Sequence, residues 1–169
     1  VQDGAYIDQP PPTVGFANAQ FINNTSLQEG ANTVGVLPGD CRPYTDYTVI
    51  VGASYTLTDP FIAFVGASGR ALNGNDFTLF PTTVNLTPSN SSEAVTLRIF
   101  DDSGVEGPEQ IDLVVTGMGN NASIGMNNQV SFGLEDNDQA IGATRLAPAA
   151  AADFNVEIPG NWEVVNNGS

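Results

Sequence analysis

The sequence predicts an all-β fold, an antiparallel β-sandwich of about seven short strands. Three observations carry that expectation. Apolar and polar residues alternate with a period of two in several short runs, the signature of a strand with one buried face. Clusters of Gly, Pro, Asn, Asp and Ser separate the runs and set turns. No segment shows the apolar spacing of an amphipathic helix.

The elements follow in chain order. Residues 1–12, VQDGAYIDQPPP, form a Pro-rich lead-in whose consecutive prolines favour a stiff polyproline II connector. A strand-like run, TVGFANAQF, extends from Thr13 to Phe21, and a short run ends at Glu29-Gly30. From Gly30 to Asp46 the chain reads as irregular, with LPGDCRP supplying turn chemistry. YTVIVGAS (Tyr47–Ser54) places Tyr47, Val49 and Val51 on one face. FIAFVGAS (Phe61–Ser68) is a mostly apolar strand. After GRALNGNDF, the run TLFPTTVNL reads as the next strand. AVTLRIF (Ala94–Phe100) points Val95, Leu97 and Ile99 inward. Ile111, Leu113 and Val115 repeat the pattern, as do Val130, Phe132 and Leu134. The sandwich is expected to span residues 13–138. Residues 139–152 read as an Ala-rich linker. Residues 153–169, DFNVEIPGNWEVVNNGS, are too short for a domain and read as the start of a further β-module or as a pairing strand.

Charge narrows the function classes. The 169 residues carry 19 Asp and Glu against four Arg, with no Lys and no His, for a net charge of −15. That balance argues against nucleic acid and against anionic membrane surfaces, both of which need cationic side chains. Without imidazole there is no partner to activate Ser or Cys, and no His ligand for zinc, iron or copper. The lone Cys41 has no intrachain disulfide partner and reads as a small, half-buried residue. No run of about 18 apolar residues is present to span a membrane. No signal peptide is visible at Val1, so the chain reads as a mature or excised piece of something longer. The Asn-, Gly- and Thr-rich composition suits an extracellular module. Six N-x-[ST] sequons, at Asn23, Asn24, Asn85, Asn90, Asn121 and Asn167, fall at positions compatible with exposure.

The stretch FDDSGVEGPE (Phe100–Glu109) holds Asp101, Asp102, Glu106 and Glu109 with no cation among them. Two like charges 4 Å apart at an effective dielectric of 20 cost about 4 kcal/mol. Asp136 and Asp138 follow a third strand, Glu29 ends an early run, and Asp76 sits in the turn before Phe77. All eight acids lie at strand ends or turns. If strand polarity places these turns at one pole, the carboxylates converge and need cations. Oxygen ligation from loops is what Ca²⁺ takes; Mg²⁺ prefers fewer carboxylates and more water, and Mn²⁺ also accepts such donors. Eight carboxylates exceed the need of one ion, so two or more Ca²⁺ are expected. The competing reading is that acidic turns are simply solvated, and it holds for any one of these acids alone. An EF-hand is excluded by spacing. GNDFTL has the look of one β-roll turn but occurs once. Glu106 with Asp101 makes a conceivable glycosidase pair, but metal ligation explains the same residues better, and the module is expected to be non-catalytic.

Five landmarks in order resemble the Calx-β family: SLQEG with Glu29, GRALNGNDF ending in Asp76-Phe77, VTLRIFDD, the Glu106 and Glu109 pair before an I-x-L strand, and the closing Asp136-Asn137-Asp138. The resemblance covers about residues 13–138. It implies a seven-stranded, immunoglobulin-like sandwich binding Ca²⁺ in the loops at one end. Matched to the family, the ligands are Glu29, Asp76, Asp101, Asp102, Glu106, Glu109, Asp136 and Asp138, with a backbone carbonyl at Gly104. Three departures stand out: Arg70 where the signature has a small Thr, Asn137 where exchangers have Asp, and a long Gly30–Asp46 segment. The last residues are similar to the F-E-x-x-x-P-x-x-W opening of bacterial adhesin jelly-roll domains, of the Bacteroidetes type. Together these resemblances imply a Ca²⁺-stabilised structural module of a secreted or surface-anchored adhesin-like protein. Its partners are then neighbouring domains of the same chain, other surface proteins or glycans. The alternatives are a Ca²⁺-sensing, partner-binding module and a filament subunit built by exchange of tail strands. A sugar-stacking platform is poorly supported, since Trp162 falls outside the sandwich.

Overall fold

The computed structural model describes residues 9–30, 33–36, 39 and 41–138. The expectations for residues 1–8 and for the linker and terminal segment at 139–169 lie outside these. Alternation sets the inside of the molecule, because a strand residue and its second neighbour share a face. Val49 and Val51, Val95, Leu97 and Ile99, Ile111, Leu113 and Val115, and Val130, Phe132 and Leu134 are all buried, and Tyr47 packs against them. Each such side chain removed from water contributes roughly 1.5–3 kcal/mol.

The described residues form eleven strands and one helical turn: β1 (Thr13–Phe16), α1 (Ala19–Ile22), β2 (Thr25–Gln28), β3 (Gly35–Val36), β4 (Pro43–Ala53), β5 (Phe61–Gly69), β6 (Phe77–Phe80), β7 (Thr83–Leu86), β8 (Ser92–Phe100), β9 (Glu109–Gly119), β10 (Ser123–Ile124) and β11 (Gln129–Glu135). One sheet has the order β10-β1-β4-β8-β6, with β3 also pairing to β4. The second has the order β2-β11-β9-β5-β7. The core lies between them, with Phe16 and Leu97 of the first sheet and Phe61 and Leu113 of the second among its fully buried side chains.

Five expectations are corrected. The strands number eleven, and two pairings, β1 with β10 and β2 with β11, are parallel. Part of the rise comes from runs divided between sheets, and part from the two-residue strands β3 and β10, too short to show alternation. TLFPTTVNL is not one strand: β6 pairs with β8 in the first sheet and β7 with β5 in the second, and the break falls at Phe80-Pro81, a cis peptide. The run Thr13–Phe21 likewise stops at Phe16. A helical turn then carries the chain across to β2, too short to leave a periodic signal. The segment Gly30–Asp46 is not all irregular, since β3 lies within it and β4 begins at Pro43. Backbone pairing of Tyr44 with Phe100 extends that strand, a signal side-chain alternation does not carry. Finally, Cys41 is exposed, at a φ of 62°, in the turn that enters β4.

On the outer face of the first sheet, Arg98 of β8 binds both carboxylate oxygens of Asp46 on β4, at 2.7 and 2.8 Å. Its guanidinium covers Tyr44 at 3.7 Å and Phe80 at 5.0 Å, so one side chain fastens three neighbouring strands. Five of the six sequon asparagines, all but Asn167, are described and exposed. No helix among the described residues is long and apolar enough to cross a membrane.

Candidate metal centre

Strand register brings the acidic turns to one end. Tyr44, near the start of β4, pairs with Phe100 at the end of β8. Phe77, at the start of β6, pairs with Ile99 of β8. In the second sheet Glu109, at the start of β9, pairs with Leu134 near the end of β11, and Glu135 pairs with Gln28 at the end of β2. The ends of β2, β8 and β11 and the starts of β6 and β9 therefore share a pole, and the acids sit on those ends. Main-chain bonds lace the turns together: the Phe100 N–H donates to the Asp76 carbonyl at 2.9 Å, and the Asp101 N–H to the Pro43 carbonyl at 3.0 Å.

Six of the nine expected ligand residues fall into two sets. Glu29, Asp136 and Asp138 each bring one carboxylate oxygen within 4.8 Å of the others, and so do Asp76, Glu106 and Glu109. Two oxygens bound to one Ca²⁺ at about 2.4 Å stand at most about 4.8 Å apart, so either set is compact enough for a single ion. The sets are joined where the Glu106 N–H donates to Asp136 Oδ2 at 2.5 Å. Glu29 and Asp76 are each only 6% exposed, buried depths at which carboxylates are rare without a partner. Asp76 is held by the Leu72 N–H at 2.5 Å.

The other three expected residues lie around these sets. Asp101 reaches toward Gly30: a Cβ there would stand 2.9 Å from Asp101 Oδ2. Gly30 also has a φ of 62°, so this turn requires glycine twice over, for conformation and for room. Asp102 accepts the Gly104 N–H at 2.6 Å, which fixes the turn that carries the Gly104 carbonyl. Asn137 is a support, its amide donating to the Glu29 carbonyl at 2.9 Å.

The electrostatics are those of a crowded acid cluster. The Glu29 carboxyl is pushed up to about 8, by burial first and then by the charges of Asp136, Asp102, Glu106 and Asp76. Burial and the charges of Asp76, Asp102 and Asp136 raise Glu106. Asp138 rises for the same reason, with Asp136, Asp101 and Asp102 as the repelling charges. Glu109 rises through burial, through a hydrogen bond with Asp76, and through the charges of Asp76 and Glu106; Arg70 partly offsets this. Two buried oxygens, Glu109 Oε2 and Asp138 Oδ2, have no hydrogen-bond donor. A buried acceptor left unpaired costs about 1–3 kcal/mol, more when charged. One stands in each of the two sets, where a cation would supply what each lacks. All-oxygen donors on loops fit a hard ion such as Ca²⁺. Two surface hollows elsewhere, about 700 Å³ beside Pro10–Pro12 and about 620 Å³ along β1, are lined by no charged side chain.

No protein-family model matches the sequence, and no curated protein matches it. Solved structures do. The chain is similar to the apo-form Calx CBD1 domain, with a TM-score of 0.58 and 12% identity over 76% of this chain and 99% of that one. It is also similar to the calcium binding domain CBD12 of CALX1.1, with a TM-score of 0.56 and 13% identity over 75% of this chain and 45% of that one. The fold is Calx-β-like. A two-domain protein of unknown function from Bacteroides fragilis shares it more loosely, with a TM-score of 0.50 and 12% identity over 78% of this chain and 48% of its own. In this Calx-β-like sandwich, sequence reasoning found the acids but missed Arg42. Its side chain donates to the Asn75 carbonyl at 2.7 Å, one residue before Asp76. Its only signal was that cations are scarce in this chain.

Proposed function

We propose that this Calx-β-like sandwich is a non-catalytic Ca²⁺-binding structural module, and that Ca²⁺ stiffens its acidic pole. The observation that carries the reading is the pair of buried, donorless carboxylate oxygens, one in each three-carboxylate set. Without a cation these groups repel or take up protons. With one, repulsion becomes cross-linking of loops from both sheets, and binding energy adds to folding energy. Glu29, Asp136 and Asp138 would hold one ion and Asp76, Glu106 and Glu109 another. Asp101 and Asp102 are near enough to repel several members and would complete the oxygen shell. Asp136 and Asp138 close the sandwich, so an ion there also stiffens the joint to whatever follows. This suits a rod-like, secreted or surface-anchored adhesin-like protein of bacterial type.

Thermal unfolding of the 169-residue chain in millimolar Ca²⁺, in Mg²⁺ and in chelator tests the reading. A midpoint raised by Ca²⁺ well beyond the rise in Mg²⁺ is the expected result. Identical midpoints in Ca²⁺ and chelator would reduce the pole to a solvated acidic surface.

A further inference from the structure

The segment Gly30–Asp46 is long and carries Arg42 just before β4. The Arg42 guanidinium donates to the Asn75 carbonyl at 2.7 Å and, from both terminal nitrogens, to the Gly74 carbonyl at 3.3 Å. The same group lies over the Phe100 ring, 4.4 Å from its centre. Asn75 precedes Asp76 and Phe100 precedes Asp101. Next to Arg42, the Pro43 carbonyl accepts the Asp101 N–H at 3.0 Å, and the Phe100 N–H donates to the Asp76 carbonyl at 2.9 Å. One cation is thus fastened to the backbone of one acidic turn and to the ring that leads into another.

We infer that Arg42 is a positioning residue for the calcium centre: through the Gly74 and Asn75 carbonyls and the Phe100 ring it holds the Asp76 turn against the Asp101–Asp102 turn. The inference rests on the calcium reading above and assigns a role to the segment that reads as an insertion. Guanidinium suits the task because its planar fork serves two carbonyls while its face stacks on a ring. Lysine keeps the charge and loses the fork and the stacking.

The charge of Arg42 gives the test its sign. A cation beside an acidic pole opposes Ca²⁺ by repulsion, so removing it tightens binding if charge is all it contributes. A brace acts oppositely, because loops freed from it pay more ordering entropy when the ion binds. Ca²⁺ titration calorimetry on the full chain compares wild type with Arg42→Lys and Arg42→Gln, and a melt in chelator monitors the fold. The expected result is that both variants bind Ca²⁺ about tenfold more weakly, the scale seen for supports of metal ligands, with little change in the metal-free midpoint. Tighter binding by Arg42→Gln with Arg42→Lys unchanged would overturn the inference and leave Arg42 a mere counter-charge. Weakening matched by an equal loss of metal-free stability would overturn it in favour of a purely structural contact. If wild type binds no Ca²⁺, the calcium reading itself falls and the role of Arg42 falls with it.

Discussion

Glu29 concentrates the physics of the pole in one side chain. It is 6% exposed and its carboxyl is raised to about 8, so near neutral pH and without metal it is mostly protonated. Glu29→Gln mimics the protonated acid in shape and removes the charge that burial penalises. In chelator at about pH 9, above the folded pKa, the variant should therefore be more stable than wild type. In Ca²⁺ the order should reverse, since a neutral amide is a poorer ligand for a hard ion. Paired melts at that pH check both halves, and a variant that shifts the midpoint the same way in both media contradicts the metal role. Arg70 gives the complementary case. It is exposed, and its charge opposes the rise of Glu109. Replacing it by Thr should tighten Ca²⁺ binding by a small factor, more at low salt, because an exposed charge is screened. Titration at two ionic strengths decides it; weaker binding at both would mean that Arg70 acts by holding the chain.

At the scale of elements, the turn after β2 depends on Gly30. Alanine there must adopt a φ of 62° and place a methyl group against Asp101 and the Asn137 amide. Gly30→Ala should cost about 1–3 kcal/mol of stability. The loss should persist in Ca²⁺, since the methyl displaces Asp101 as well. Denaturant unfolding in both media reads this; an unchanged midpoint would show that the turn relaxes freely. The elements also mark how far a sequence speaks. The inward positions of β8, β9 and β11 were legible because period-two alternation is a local property of a strand with one wet face. Sheet membership was not. β6 and β7 read as one run and join different sheets, because pairing partners lie far off in sequence. The acids were legible as acids at strand ends. Their division into two sets depends on where each loop lies once β2 has docked on β11, and alternation carries no such information. Arg42 was least legible, since the contacts that tie it to the pole, with Gly74, Asn75 and Phe100, lie 32, 33 and 58 residues away.

At the scale of the whole molecule, the acidic pole links folding to pH. Glu29, Glu106, Glu109 and Asp138 all have raised pKa values, so the metal-free folded chain holds protons more tightly than the unfolded chain. The stability from that difference is complete below the unfolded value, about 4.5 for Glu29. It is lost as pH rises through about 8. Asp112 runs the other way, its carboxyl lowered by hydrogen bonds from Ser131 and Gln110, but its effect falls in acid, outside that window. In chelator the midpoint should therefore fall between mild acid and pH 8. Net repulsion in a chain of charge −15 predicts a similar fall, so direction alone does not locate the cause. Calcium separates the two. An ion entering the pole must displace the protons held there, so binding near neutral pH should release protons and strengthen as pH rises. Calorimetry in buffers of different ionisation enthalpy measures the release. Released protons that vanish above about pH 9 place the linkage in the raised carboxylates. Ca²⁺ stabilisation with no proton release at any pH in the window would place the ion away from Glu29, and screening of the whole surface would then be the better account.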